Sequence, residues 1–122
     1  MANEIRITAS IDVLNGTFDQ EVRPSQLAIT QNTQGSGGGV LTLTTAATAV
    51  AFSTGNATTC GYAFFRNVST ANNALIGTGT ATPVVFMKLG AGEYSMLRLG
   101  TNAPTARCDV GTVNVQYFIL AD

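Results

Sequence analysis

The chain has no histidine, no tryptophan and a single lysine, and only 11% of its residues are charged. Without histidine it lacks the one side chain whose ordinary pKa lies near neutrality, and it lacks the commonest ligand for zinc and copper. Histidine-based triads and histidine metal sites are therefore excluded. Six basic residues stand against seven acidic ones, for a net charge of -1. No basic patch can be assembled from Arg6, Arg23, Arg66, Lys88, Arg98 and Arg107 without drawing on nearly every cation present, so the electrostatic footprint of nucleic-acid binding is missing. Long hydrophobic runs are missing too, and no stretch approaches the roughly 18 to 20 apolar residues of a membrane helix. Met1–Arg6 has no continuous apolar stretch of the kind a secretory leader needs, and the expectation is synthesis and folding in the cytoplasm. In a reducing compartment Cys60 and Cys108 are expected as free thiols that behave as small buried apolar residues.

What is present is apolar and neutral polar. Of 122 residues 45% are apolar, and Thr (18) and Asn (9) supply most of the polarity. That is too apolar, and too weakly charged, for a disordered chain. The length predicts one domain over 1–122, whose folding removes roughly two-thirds of the unfolded surface, enough for one modest core. Three glycosylation sequons, at Asn15, Asn56 and Asn67, carry no weight in a chain so rich in Asn, Ser and Thr.

Hydrophobic periodicity predicts strands throughout. Ile5, Ile7, Ala9, Ile11 and Val13 alternate with Glu4, Arg6, Thr8, Ser10 and Asp12, the period of a half-buried strand. Asn15-Gly16 then predicts a turn. Residues 17–24 carry charge and Pro24, which predicts a connection or an edge strand. The period of two returns at Leu27 and Ile29 and runs into Gly35-Ser36-Gly37-Gly38-Gly39. A phosphate-binding loop requires Gly-Lys-Ser/Thr opening a helix, whereas Val40–Thr45 alternates with β-branched residues, so the glycine run is predicted to be a loop. Residues 46–51 are predicted as strand or irregular structure. Tyr62–Val68 and Ala74–Gly77 predict one hairpin, and Val84–Leu89 with Glu93–Leu99 predicts a second around Gly90-Ala91-Gly92. A loop over 100–104 precedes Ala106 and Cys108, and Val113–Leu120 is an apolar closing strand. Eight or nine short strands with no helix and no fixed repeat predict an all-β fold, an antiparallel sandwich, jelly roll or small barrel, of which an antiparallel β-sandwich of jelly-roll-like form is expected.

Chemistry is sparse. A glycosidase needs two carboxyls facing each other across a sugar, and Asp19 and Glu21 lie side by side on one strand. With Asp12 or Asn15 they lack the spaced oxygen ligands of an EF-hand, and a solvated acidic edge is expected. Serine and threonine nucleophiles have no histidine base. The one lysine, Lys88, is expected to face water. No enzymatic activity, cofactor or metal is expected. Arg66 and Arg98 each interrupt an apolar strand, as Phe64-Phe65-Arg66-Asn67 and Met96-Leu97-Arg98-Leu99. Either each covers apolar surface with its stem, or these faces meet a partner subunit, where arginine and aromatics are enriched. The low charge favours the second, because single domains average about 25% charged residues.

The segments Gly61-Tyr62-Ala63-Phe64-Phe65-Arg66-Asn67, Ile76-Gly77, Phe86–Glu93 and Leu97-Arg98-Leu99, closing with Val115-Gln116-Tyr117, resemble small virion proteins of tailed bacteriophages. The likeness covers residues 60–122 and consists of strand and turn patterns. It implies a β-sandwich module that serves as a capsid decoration (cement) protein, usually a homotrimer, on the capsid surface of the virion, made in the host cytoplasm. Its partners would be its own copies and a major capsid protein, with no nucleic acid and no membrane. The residues expected at subunit or shell contacts are Ile5, Arg6, Gly37, Gly38, Arg66 and Arg98. An adaptor of the tail or baseplate is the alternative within the virion. A carbohydrate-binding sandwich is more remote, with only Tyr62, Tyr94 and Tyr117 as tyrosine platforms for a sugar face.

Overall fold

A computed structural model describes residues 4–100 and 102–122. The first three residues and Thr101, part of the loop expected over 100–104, lie outside the described residues. Among those described there are twelve strands and no helix: β1 (Ile5–Ile7), β2 (Ile11–Asn15), β3 (Phe18–Val22), β4 (Leu27–Ile29), β5 (Ser36–Thr44), β6 (Val50–Ala51), β7 (Cys60–Asn67), β8 (Ala74–Thr78), β9 (Val84–Leu89), β10 (Tyr94–Arg98), β11 (Thr105–Cys108) and β12 (Thr112–Ala121). The chain divides into two compact units, Met1–Asn32 and Thr33–Asp122. The sequence pattern drew one sandwich over 1–122; both four-stranded sheets are built from the second unit alone.

The first unit is a two-stranded antiparallel ribbon. Ile5 pairs with Ile29 and Ile7 with Leu27, and further along Ile11 pairs with Val22 and Asn15 with Phe18. The single strand expected over 5–13 is thus interrupted at residues 8–10. The loop between β2 and β3 is Gly16-Thr17, and Gly16 sits at φ 60°, the left-handed region that the first position of a tight hairpin turn demands and that glycine enters without steric cost. The charged stretch after the turn is therefore a paired strand, β3, rather than a connection.

The second unit is a sandwich of two antiparallel sheets, ordered β10-β7-β12-β5 and β6-β11-β8-β9. Its pairings nest: β8 with β9, β7 with β10, β6 with β11 and β5 with β12. This is one long antiparallel hairpin folded over itself, the jelly roll. β12 pairs β5 on one side and β7 on the other. Its alternation is nearly perfect, with Val113, Val115, Tyr117, Ile119 and Ala121 buried between exposed neighbours. Val113, Val115, Tyr117 and Ile119 meet Leu43, Phe52, Phe65 and Ile76 in the core. Phe52 centres an aromatic cluster, 4.9 Å from the rings of both Phe65 and Tyr117, the latter edge-on. Such tilted geometry adds roughly 0.5–1.5 kcal/mol per pair to the apolar burial itself.

The sandwich departs from the sequence expectations in three ways. Neither predicted hairpin exists, because β7 and β8 lie in opposite sheets and so do β9 and β10. Both members of each pair carry apolar residues that need the same core, and the short connections arch between sheets so that Phe65 and Ile76 are buried from facing sides. The glycine run is not a loop: β5 starts at Ser36 and pairs residue by residue with Leu120 back to Thr112. Glycine is needed at 37 because a Cβ there would run into the Thr54 carbonyl. The strand number is twelve among the described residues, eight of them in the sandwich.

Candidate interaction surfaces

The outward face of sheet β10-β7-β12-β5 collects most of the aromatic residues the core does not use. Register places Met96, Phe64, Phe118 and Gly38 in one row across the four strands. The next row is Tyr94, Arg66, Gln116 and Val40. Tyr94 and Val40 are 64% and 62% exposed, and Phe118 is 47% exposed. Phe64 and Tyr94 are in ring contact at 6.0 Å. Because Gly38 and Gly39 carry no side chain, a shallow depression of about 450 Å3 opens beside Val40, Phe64, Gln116 and Phe118.

Arg66 and Arg98 both belong to this face. Arg66 stands opposite Tyr94, and Arg98 opposite Tyr62 with its guanidinium 5.8 Å from the tyrosine ring centre. Arg98 also forms an ion pair with Asp122, whereas no ion pair or hydrogen bond involves the exposed Arg66 side chain among the described residues. A face holding Tyr, Phe, Met and Arg, with no lysine and its one acid already paired, has the composition of the buried centre of an interface rather than of a solvated sheet.

The ribbon carries a second uncovered surface. Ile11, Val13, Phe18 and Val22 share one side of β2 and β3, while Asp12, Asp19 and Glu21 occupy the other. Arg23 holds Asp12 at 3.4 Å and Glu21 at 2.5 Å, so the charged side has its own partners and is the one made for water. All four apolar residues are nonetheless exposed, and so are Leu27 and, on the charged side, Leu14 at 79%. A two-stranded ribbon with an open apolar face is marginal in water.

The six residues expected at contacts fall in different places. Arg66, Arg98 and Gly38 lie on the aromatic sheet face. Gly37 is buried against Thr54 and Gly55. Ile5 is half-buried and Arg6 exposed, both on β1 of the ribbon. Of the three tyrosines considered for sugar stacking, Tyr117 is buried in the core and Tyr62 is half-buried beneath Arg98.

One structural residue escaped the sequence reading. Asn67 is fully buried at the end of β7. Its side-chain amide donates to the carbonyls of Asn72 (3.0 Å) and Leu89 (3.1 Å), and its Oδ1 accepts from the Ser69 backbone N–H. Its own backbone N–H donates to Glu93 O, and its carbonyl accepts from Gly92. It thereby clasps the two arches that join the sheets, and burial removes it as a glycan acceptor in the folded chain. The signal was available: Asn67 falls on the inward register after Ala63 and Phe65, where a polar residue needs a full set of partners.

The two thiols and Asp109 have pKa values shifted by their surroundings. Burial raises the thiol pKa of both Cys60 and Cys108, the latter further through the neighbouring Asp109 charge. Both are free, and the Cys108 Sγ donates to Gly111 O at 3.2 Å. The Asp109 carboxyl is held below its ordinary value chiefly by the Asn73 side-chain amide, then by the Asn73 backbone N–H.

No protein-family model matches this chain, and no curated protein sequence matches it.

Proposed function

We propose that this chain is a structural virion protein of a tailed bacteriophage, a capsid decoration protein that associates with its own copies, as a homotrimer, and binds the major capsid protein on the outside of the shell. The observation that carries the reading is the aromatic and arginine face of sheet β10-β7-β12-β5, left open on a chain with little charge elsewhere. Exposed apolar area of that extent marks a surface built to be covered. The strand and turn likeness of residues 60–122 to small virion proteins supports the same home, and the net charge of -1 disfavours adhesion to a packaged genome.

Cryo-electron microscopy of the intact particle tests this. Density for the chain in clusters on the head supports it, density only on the tail replaces it with the adaptor reading, and absence from the particle refutes both.

A further inference from the structure

We infer that the ribbon of one copy docks, apolar side down, on the aromatic sheet face of a second copy of this chain, so that self-association is head-to-tail. Two uncovered apolar surfaces exist in each copy, and they differ in kind. One is a narrow aliphatic strip around Ile11, Val13 and Val22 that ends in Phe18; the other is a broad aromatic floor around Phe64 and Phe118 with a depression above Gly38. A strip fits a floor better than either fits itself, since two floors leave their glycine depressions facing each other unfilled.

Charge and size support the same occupant. The first unit contains Glu4, Asp12, Asp19 and Glu21 against Arg6 and Arg23, a formal charge of -2, and the second contains Arg66, Lys88, Arg98 and Arg107 against Glu93, Asp109 and Asp122, a formal charge of +1. Two like surfaces repel, whereas the acidic ribbon of one copy and the arginine-rimmed face of another attract. Because the ribbon acids face away from the strip, these charges steer the encounter from the rim. The ribbon from Ile5 to Asn15 is about 36 Å long and two strands, about 10 Å, wide, and the ten-residue β12 beneath it measures about 33 Å. One contact of that footprint removes on the order of 700 Å2 of surface counted over both copies, the size of a weak interface, and in a closed ring each copy makes two, one through its ribbon and one through its face. Repeated with a rotation that closes, the same head-to-tail contact makes a ring. The inference draws only on the self-association in the proposed function, and it holds for a head or a tail protein alike.

Complementation between variants of the full chain tests it. Phe18→Glu spoils the ribbon and leaves the sheet face; Val40→Glu and Phe118→Glu spoil the face and leave the ribbon. All three positions are exposed, and Val40→Glu on an edge strand stands in if Phe118→Glu does not fold. By analytical ultracentrifugation, each variant alone is expected to associate at least about tenfold more weakly than the wild type. An equimolar mixture of a ribbon variant with a face variant is expected to form a one-to-one heterodimer, because it restores one sound ribbon-to-face contact. A mixture that stays monomeric overturns the inference, as does a ribbon variant that associates like the wild type or a wild-type chain that is monomeric at concentrations of order 100 µM. Capsid binding without complementation removes the inference and keeps the decoration reading; complementation without capsid binding does the reverse.

Discussion

The ribbon and the jelly roll are written in the same alternating pattern and reach opposite outcomes. In β12 every second side chain is buried, and in β2 and β3 none is. Alternation creates an apolar face in both cases, but it does not supply what the face rests on. In the second unit a facing sheet supplies it: Val115 and Ile119 on β12 and Ile76 on β8 are all fully buried. Within its own unit the ribbon is built of two-stranded sheets, and Phe18 is 57% exposed while Phe65 is fully buried. The difference separates residues that hold the fold together from apolar residues that the fold leaves exposed.

The sharpest way to break that comparison is to truncate the same residue type in both units. Phe65→Ala is expected to cost about 3–5 kcal/mol through lost transfer energy and the cavity left behind. Phe18→Ala is expected to stay within about 0.5 kcal/mol in the dilute monomer. Denaturant titration measures both, and similar costs would erase the distinction. Next in size is Asn67→Ala, which strands the carbonyls of Asn72 and Leu89 and the N–H of Ser69; a loss of about 1–3 kcal/mol is expected from the unpaired buried groups. Gly16→Ala comes third: forcing a side chain to φ 60° costs about 1 kcal/mol. That cost is expected to appear as faster hydrogen exchange in Ile11–Val22, with the melting temperature of the sandwich unchanged.

The smallest effect concerns pH. Hydrogen bonds from Asn73 depress the Asp109 carboxyl in the folded chain, so its stabilising contribution is fully present above the ordinary carboxylate pKa of about 3.9 and is lost as pH falls through the lower folded value. Asp109→Asn should therefore melt slightly below the wild type at pH 7, and the gap should close in strong acid. A gap that widens in acid would show that Asp109 is not held this way.

How much of this was legible in the sequence follows from the range of the forces involved. Strands around Leu27 and Ile29, over Tyr62–Val68 and over Val113–Leu120 were readable, against Leu27–Ile29, Cys60–Asn67 and Thr112–Ala121 in the structure, because each side chain's side of the sheet is set by its immediate neighbours. The pairing was not, because the jelly roll brings together residues far apart in sequence: Thr42 Oγ1 donates to Asn114 Oδ1 at 2.8 Å across 72 positions. A short glycine connection such as Gly90-Ala91-Gly92 looks the same whether it joins neighbours in one sheet or arches to the other. The glycine run was misread for a related reason: its partner, β12, lies at the far end of the chain. That Arg66 and Arg98 interrupt apolar strands is visible in the sequence, and only the register puts them on one face with Phe64 and Phe118.

The apolar residues of the ribbon are exposed in a single copy, and the proposed docking covers them with another. Hydrogen exchange followed peptide by peptide over a dilution series tests it most directly. In the dilute monomer the amides of Ile11–Val22 are expected to exchange far faster than those of Val113–Ile119. As copies associate, the ribbon should gain protection while the sandwich strand does not change. Ribbon amides as protected as Val113–Ile119 in the dilute monomer, or protection that ignores concentration, would contradict the account.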